Sequence, residues 1–151
     1  MRFIKLDISS LKSFFFVVIQ FICIGIIAFT GKIIPENIII IFAIILFFLL
    51  GVWAIIKMKF NFNISPEIIK GTVLITSGPY KLIRNPMYSS VLGITLCWLI
   101  NDCNYFRLFI WIILLIDLIV KINFEEKILG NAFEDYKNYK SKTKKLIPFI
   151  Y

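Results

Sequence analysis

Apolar residues in this chain fall into four blocks separated by short polar or helix-breaking stretches. The first covers residues 13–29, with Gln20 as its one large polar side chain. The second covers residues 38–56 and carries no charge. Each approaches the ~20 residues that a helix needs to cross a hydrocarbon layer. Gly31 and Pro35, between them, are helix breakers. Two shorter blocks, residues 87–100 and 106–120, flank the polar turn Asn101-Asp102-Cys103-Asn104. Each is marginal as an independent span, so the pair is expected as a tight helical hairpin whose arms extend past their apolar parts on the cytosolic side. The fold expected is all-α and integral to the membrane: about four transmembrane helices in a single domain over residues 1–151. Basic residues before the first block also fit a secretory signal. Its 17-residue core is long for one, and no A-x-A site follows.

Composition agrees with the blocks. Of the 151 residues, 60% are hydrophobic, against roughly 45–50% for a soluble domain. Charge supplies the sidedness. With four spans, both termini and the central loop share one side, which holds 15 of the 17 basic residues; Lys32 and Arg107 lie opposite. The positive-inside rule puts the termini and that loop in the cytosol. The net charge of +8 then follows from topology and anionic lipid headgroups, and calls for no nucleic-acid partner.

The chain has no histidine. This excludes Ser-His-Asp and Cys-His nucleophiles, His-ligated zinc or haem, and an imidazole base. Cys23, Cys97 and Cys103 form no C-x-x-C pair, so neither a metal cage nor a disulfide framework is implied. Cys23 and Cys97 are expected to pack as small hydrophobes.

Chemistry, if any, must come from the polar segments 57–86 and 121–151. Residues 57–64 alternate polar and apolar, which suits an extended stretch on the membrane interface. A short extended run over residues 71–76 ends in the Ser77-Gly78-Pro79 turn. Asn85 and Pro86 form a good helix start. With Arg84 beside it, that start favours a carboxylate or another anion; equally, Asn-Pro merely begins a helix and Arg84 snorkels. Asp117 lies in an apolar helix, where a carboxylate is costly, and Lys121 four residues on can pair with it. If that helix continues beyond the membrane, Glu125 stacks above Lys121. Glu125 and Glu126 together either bind a cationic ligand or form a solvated face balanced by Lys127. Phe133, Tyr136 and Tyr139 recur at spacing three, as on one helix face over the membrane surface or a pocket. Most of the five lysines between residues 137 and 145 are expected to face lipid headgroups, and the apolar residues 146–151 can dock on the bilayer.

Taken together, Leu74-Ile75-Thr76-Ser77-Gly78-Pro79-Tyr80, Arg84-Asn85-Pro86-Met87-Tyr88, Glu125-Glu126, Tyr136, Tyr139 and Pro148-Phe149-Ile150 resemble the isoprenylcysteine carboxyl methyltransferase and phospholipid methyltransferase group. That group's pattern is a Thr/Ser-Gly turn, an aromatic, R-H-P-x-Y, a helical hairpin, E-E, an aromatic-rich stretch and a near-terminal proline. The resemblance covers about residues 71–150. Asn85 stands where the family has histidine, the usual Phe-Gly pair is missing, and the interval from Glu125 to Tyr136 is one residue short. Asn85 can hydrogen-bond and cap, but cannot act as a base near neutral pH.

The resemblance implies S-adenosyl-L-methionine in a cytosol-facing pocket formed by the loop and a C-terminal helix. Leu74, Ile75, Tyr80, Asn85, Pro86, Tyr88 and Glu125 would line it. Lys121 sits where the family has a substrate-contacting arginine. Arg84, Glu125 and Glu126 are the candidates for the chemistry. The implied acceptor is lipophilic, a small molecule, a lipid or a lipid-anchored carboxylate, reached from the bilayer; no metal is implied. A sulfonium methyl is already activated, so transfer is mainly positioning and charge management. A carboxylate acceptor needs no base, whereas an amine would need Glu125, Glu126 or a tyrosinate. Two other classes stand beside this: a membrane NADPH-dependent reductase of sterol-reductase-like fold, and a non-enzymatic four-span protein. Against the first, no second basic cluster is set aside for a 2′-phosphate. Against the second, Asp117 is the lone ionisable group facing a possible membrane cavity.

Overall fold

The computed structural model describes residues 8–58 and 74–147. Most of the alternating 57–64 run, residues 71–73, and the closing 148–151 lie outside the described residues. The described part is all-helical: α1 (Ile8–Phe29), α2 (Ile38–Met58), a 3-10 turn (Gly78–Lys81), α3 (Pro86–Asn101), α4 (Tyr105–Ala132) and α5 (Tyr136–Lys142).

The breaks fall where the polar stretches stand. α1 stops before Gly31 and Pro35, and α2 starts at Ile38, whose N–H group's neighbour Ile39 donates to Asn37 Oδ1 at 2.9 Å. α3 and α4 are joined by three residues, and Asn104 Oδ1 caps α4 by accepting from Arg107 N at 2.8 Å. α4 runs 12 residues past its apolar part, as the hairpin reading required, and its 28 residues make it about 42 Å long. α3 gains no such extension, because Pro86 has no N–H with which to continue a helix backwards. Its 16 residues span only about 24 Å. Among the described residues, α1 and α2 are the two helices long and apolar enough to cross a membrane.

The α3–α4 hairpin is central. α2 packs on α3, and α1 packs on α4 and touches α3. The shared interior holds Cys23 and Ile27 of α1, Leu92 of α3, Leu114, Leu118 and Ile122 of α4, and Leu146. Cys23 and Cys97 are buried, as expected of small apolar packers. Phenylalanines at 14, 15, 21, 42, 48, 106 and 109 point outward instead. An apolar belt of that extent marks contact with lipid or with another apolar partner.

With an apolar solvent outside, helices gain little from burying apolar area, so close backbone approach and hydrogen bonds take over. The α2–α3 seam shows both. A Cβ on Gly93 would overlap the ring of Phe47, one on Gly51 would meet Ser90, and Ser90 Oγ donates to Phe47 O at 2.7 Å.

One end of the bundle is closed by Arg107. The residue is fully buried, donating from Nη2 to Ile27 O at 2.8 Å and from Nη1 to Asp102 O. Asp102 Oδ2 lies 3.6 Å from the guanidinium, and Trp98 Nε1 donates to Ile33 O at 2.9 Å. The ends of α1 and α3, the start of α4 and the α1–α2 connector therefore meet there. The opposite end carries the functional candidates.

Gly93→Val should destabilise the fold by about 1–3 kcal/mol, because the Phe47 ring has to leave the seam. Thermal unfolding in detergent measures this, and an unchanged midpoint would contradict so close an α2–α3 contact.

Candidate functional site

Three chain segments build the open end. Ser77-Gly78-Pro79 turns through Gly78, whose φ of 64° is left-handed and suits glycine. The 3-10 turn follows, with Leu82 N and Ile83 N both donating to Pro79 O. Residues 82–85 then pair with the C-terminal segment. Arg84 N donates to Lys144 O at 2.8 Å, and Lys144 N donates to Leu82 O at 3.1 Å, making a single parallel bridge. Asn85 begins α3 without capping it by its side chain. Its Nδ2 donates instead to Lys145 O at 3.2 Å. Where the resemblance would put a histidine, this chain therefore has an amide tied to its own C-terminal segment.

Arg84 is nearly buried and heavily occupied. Nε donates to Glu126 Oε1 at 2.8 Å, while Nη1 donates to Lys140 O at 3.1 Å and to Thr143 O. Lys140 Nζ lies 3.0 Å from Glu126 Oε2. Burial raises the Glu126 carboxyl, but hydrogen bonds from Arg84 and Lys140 outweigh it and hold the group below its ordinary range. The anion expected near Arg84 is thus the protein's own Glu126, which is absent from the cavity wall.

Glu125 has the other role. Its side chain turns into a cavity of about 190 Å³ that is also lined by Leu74, Ile75, Tyr80, Asn85, Pro86 and Tyr88. All seven positions that the resemblance assigned to the cofactor therefore share one wall. Arg84 joins them, as do Met58 and Leu129, for which the sequence offers no signal, and Phe133, expected over the membrane surface or a pocket. The Tyr88 hydroxyl donates to Glu125, with Oε1 at 2.8 Å and Oε2 at 3.0 Å. Burial pushes the Glu125 carboxyl above its ordinary range, and Lys121 and Tyr88 pull it back only in part.

The aromatic stretch also closes over this cavity, though not as a single helix. Phe133 is extended and ends α4, and Tyr136 and Tyr139 follow on α5. Their rings meet edge to face at 6.0 Å, and the Tyr139 hydroxyl donates to Tyr80 O at 2.7 Å. Burial pushes Tyr80 and Tyr139 up to about 12 and raises Tyr136 as well. None of these phenols is ionised near neutral pH, which removes tyrosinate from the candidate bases.

Lys121 stands apart from the cavity wall. Its ammonium donates to Gln20 Oε1 at 3.3 Å and lies 5.0 Å from the centre of the Tyr88 ring. The expected pair with Asp117 does not form within ion-pair distance. The amide of Gln20, presented by a different helix, holds the ammonium instead.

The lining of this end suits a cationic group. Aromatic faces and a buried carboxylate both stabilise a cation. At about 190 Å³ the inner cavity is below the ~300–1,000 Å³ usual for a small-molecule site. An outer concavity of about 570 Å³ shares Leu74, Phe133 and Tyr139 with it and adds Glu134, Asp135, Asn138 and Lys142. The outer lobe by itself lies within that range. A third cavity, about 560 Å³ and almost wholly apolar, lies across the 79–89 segment among Phe47, Trp53, Leu92, Leu96, Trp111 and Leu115.

A sequence model of the isoprenylcysteine carboxyl methyltransferase family matches residues 38–131. The matched region takes in α2, α3 and nearly all of α4, and leaves α1 and α5 outside. No curated protein matches the chain.

Arg84→Ala should cost about 3–5 kcal/mol of stability by leaving Glu126 buried and unpaired, while the double variant Arg84→Met/Glu126→Met recovers much of that loss. Unfolding in detergent of Arg84→Met, Glu126→Met and the double variant measures the coupling. Glu126 is held below its unfolded-state value of about 4.3. Its stabilisation is therefore complete above that pH and lost as pH falls through the lower folded-state value. The double variant should lack this acid limb.

Proposed function

We propose that this chain, which belongs to the isoprenylcysteine carboxyl methyltransferase family, transfers a methyl group from S-adenosylmethionine to a lipophilic acceptor at the membrane surface. Family membership makes it a membrane methyltransferase in the broad sense. The observation carrying the finer reading is the convergence of Leu74, Ile75, Tyr80, Asn85, Pro86, Tyr88 and Glu125 on one cavity wall.

The whole chain is read as a single domain in which α1 and α2 cross the bilayer and the shorter α3 enters it as a hairpin with α4. The described basic residues cluster at the end with the cavity, and Lys32 and Arg107 lie at the other, so the positive-inside rule puts the cavity in the cytosol. The polar cofactor then enters from water, through the outer lobe. Bound S-adenosylmethionine supplies an activated methyl on a sulfonium centre. The chain's own residues hold and orient it. Glu125 offers a carboxylate to a cationic group, Tyr88 fixes that carboxylate, and Tyr80, Tyr136 and Tyr139 wall off water. Arg84 and Glu126 act on each other and brace the pocket.

The apolar cavity across the 79–89 segment supports a lipophilic acceptor, whose chain it suits in size and lining. Glu125 is the one carboxylate of the inner wall, and the phenols stay protonated. A base for an amine acceptor would have to be the residue that also holds the cofactor. This favours an acceptor that is already anionic, such as a carboxylate on an isoprenoid- or lipid-bearing molecule.

Calorimetry of detergent-purified protein with S-adenosylhomocysteine, and in parallel with NADPH, tests the reading. Binding of S-adenosylhomocysteine alone is expected. Glu125→Gln should weaken it by about 1.5–3 kcal/mol, as for a lost charged hydrogen bond. NADPH binding alone would favour a reductase, and binding of neither would sink both enzyme readings. Affinity should also fall on acidification while pH is still above the ordinary carboxyl range, since the Glu125 carboxyl is raised. Glu125→Gln should flatten that profile.

A further inference from the structure

α1 lies outside the matched family region, yet one of its side chains reaches the cavity's supports. Gln20 is the only large polar side chain in the first apolar block, and it is buried, 9% exposed. Its Oε1 accepts from Lys121 Nζ at 3.3 Å. Lys121 is 6% exposed, and its ammonium rests 5.0 Å from the Tyr88 ring centre. The Tyr88 hydroxyl in turn donates to both oxygens of Glu125. The series runs from α1 through α4 and α3 and back to α4.

The position of the ammonium needs explaining. On α4, Asp117 and Glu125 stand one turn to either side of Lys121, the spacing at which a lysine and a carboxylate normally meet. Both are carboxylates in a poorly hydrated setting, where attraction to an ammonium is strong. Even so, neither is within ion-pair distance of Lys121 among the described residues. A neutral amide and an aromatic face hold the cation where a carboxylate was available. An ammonium resting against Glu125 would neutralise the charge that the pocket offers to a cationic ligand.

We propose that Gln20 is a positioning residue for the cofactor pocket: it restrains Lys121 beneath Tyr88 and keeps it off Glu125. This rests on the reading of Glu125 as a cofactor-binding carboxylate. Without the Gln20 amide, the flexible lysine stem swings one turn along α4 and pairs with Glu125. The Tyr88 ring loses its cation, and Glu125 loses its availability. Gln20 thus makes α1 part of the site although it touches no ligand.

The test is S-adenosylhomocysteine affinity by calorimetry on the full chain in detergent, with thermal midpoints read alongside. Gln20→Met keeps the length and removes the amide. It should lower affinity about tenfold, the scale of one charged hydrogen bond, with little change in midpoint. Adding Lys121→Met to Gln20→Met removes the cation that does the harm, so the double variant should bind more tightly than Gln20→Met alone. Gln20→Glu supplies another acceptor for Lys121 and should stay within about threefold of wild type, under half the free energy of that lost bond. Phe21→Ala, on the outward face of α1, should change nothing. A merely structural Gln20 would give a lowered midpoint and a double variant no better than the single one. Unchanged affinity in Gln20→Met, or a double variant as weak as Gln20→Met, overturns the inference while leaving the cofactor reading intact. A wild-type chain that binds no S-adenosylhomocysteine overturns both.

Discussion

A guanidinium removed from water must find acceptors for its N–H groups, and Arg84 finds them in three separate parts of the chain. Glu126 belongs to the extension of α4, Lys140 to α5 and Thr143 to the segment beyond it. Arg84 itself sits just before α3. A single buried ion therefore sets the distance between the start of one hairpin arm and the far end of the other. It also draws the C-terminal segment across to bond with residues 82–85. The cavity is what remains enclosed when these parts are held together. Breaking one partner of such a buried pair costs far more than the intact pair contributes, so its effect is to impose one arrangement.

Two arginines thus close opposite ends of the bundle in different ways. Arg107 meets mainly main-chain carbonyls, those of Ile27 and Asp102, and fastens helix ends. Arg84 pairs with a carboxylate and braces a pocket. Between them the helices pack through glycines, serines and aliphatic side chains, with phenylalanines turned outward. Adjacent residues on α4 have also been separated in role by direction alone. Glu126 points to Arg84 and is depressed by it, whereas Glu125 points into the cavity and is raised by burial. With no histidine in the chain and the phenols held protonated, that raised carboxylate is the titratable anion of the inner cavity wall.

Much of the fold was legible because it depends on local properties. Block length gave the helices, and Gly31, Pro35, Pro86 and the polar 101–104 stretch gave their ends. Both hairpin arms were expected to extend past their apolar parts; α4 does so and α3 does not. The positions expected around a cofactor do converge on one cavity. The side-chain partnerships were less legible. Lys121 was expected to meet Asp117 and meets Gln20; Asn85 was expected to cap α3 and bonds Lys145 O; Arg84 was open to an external anion and holds Glu126. Phe133, Tyr136 and Tyr139 face one cavity, but across a break between α4 and α5.

The sequence by itself determined the membrane-suited helices, their order and ends, and the residue types available for chemistry. Each of these follows from hydropathy, backbone capability or side-chain chemistry within a few residues. Tertiary structure alone decided which charge meets which partner, because those partners are brought together by helix packing. Gln20 and Lys121 are 101 positions apart, Arg84 and Glu126 42, and Tyr88 and Glu125 37. At such separations spacing carries no geometric information, and a neighbour one helical turn away can lose to an amide from another helix that packing has already placed in reach.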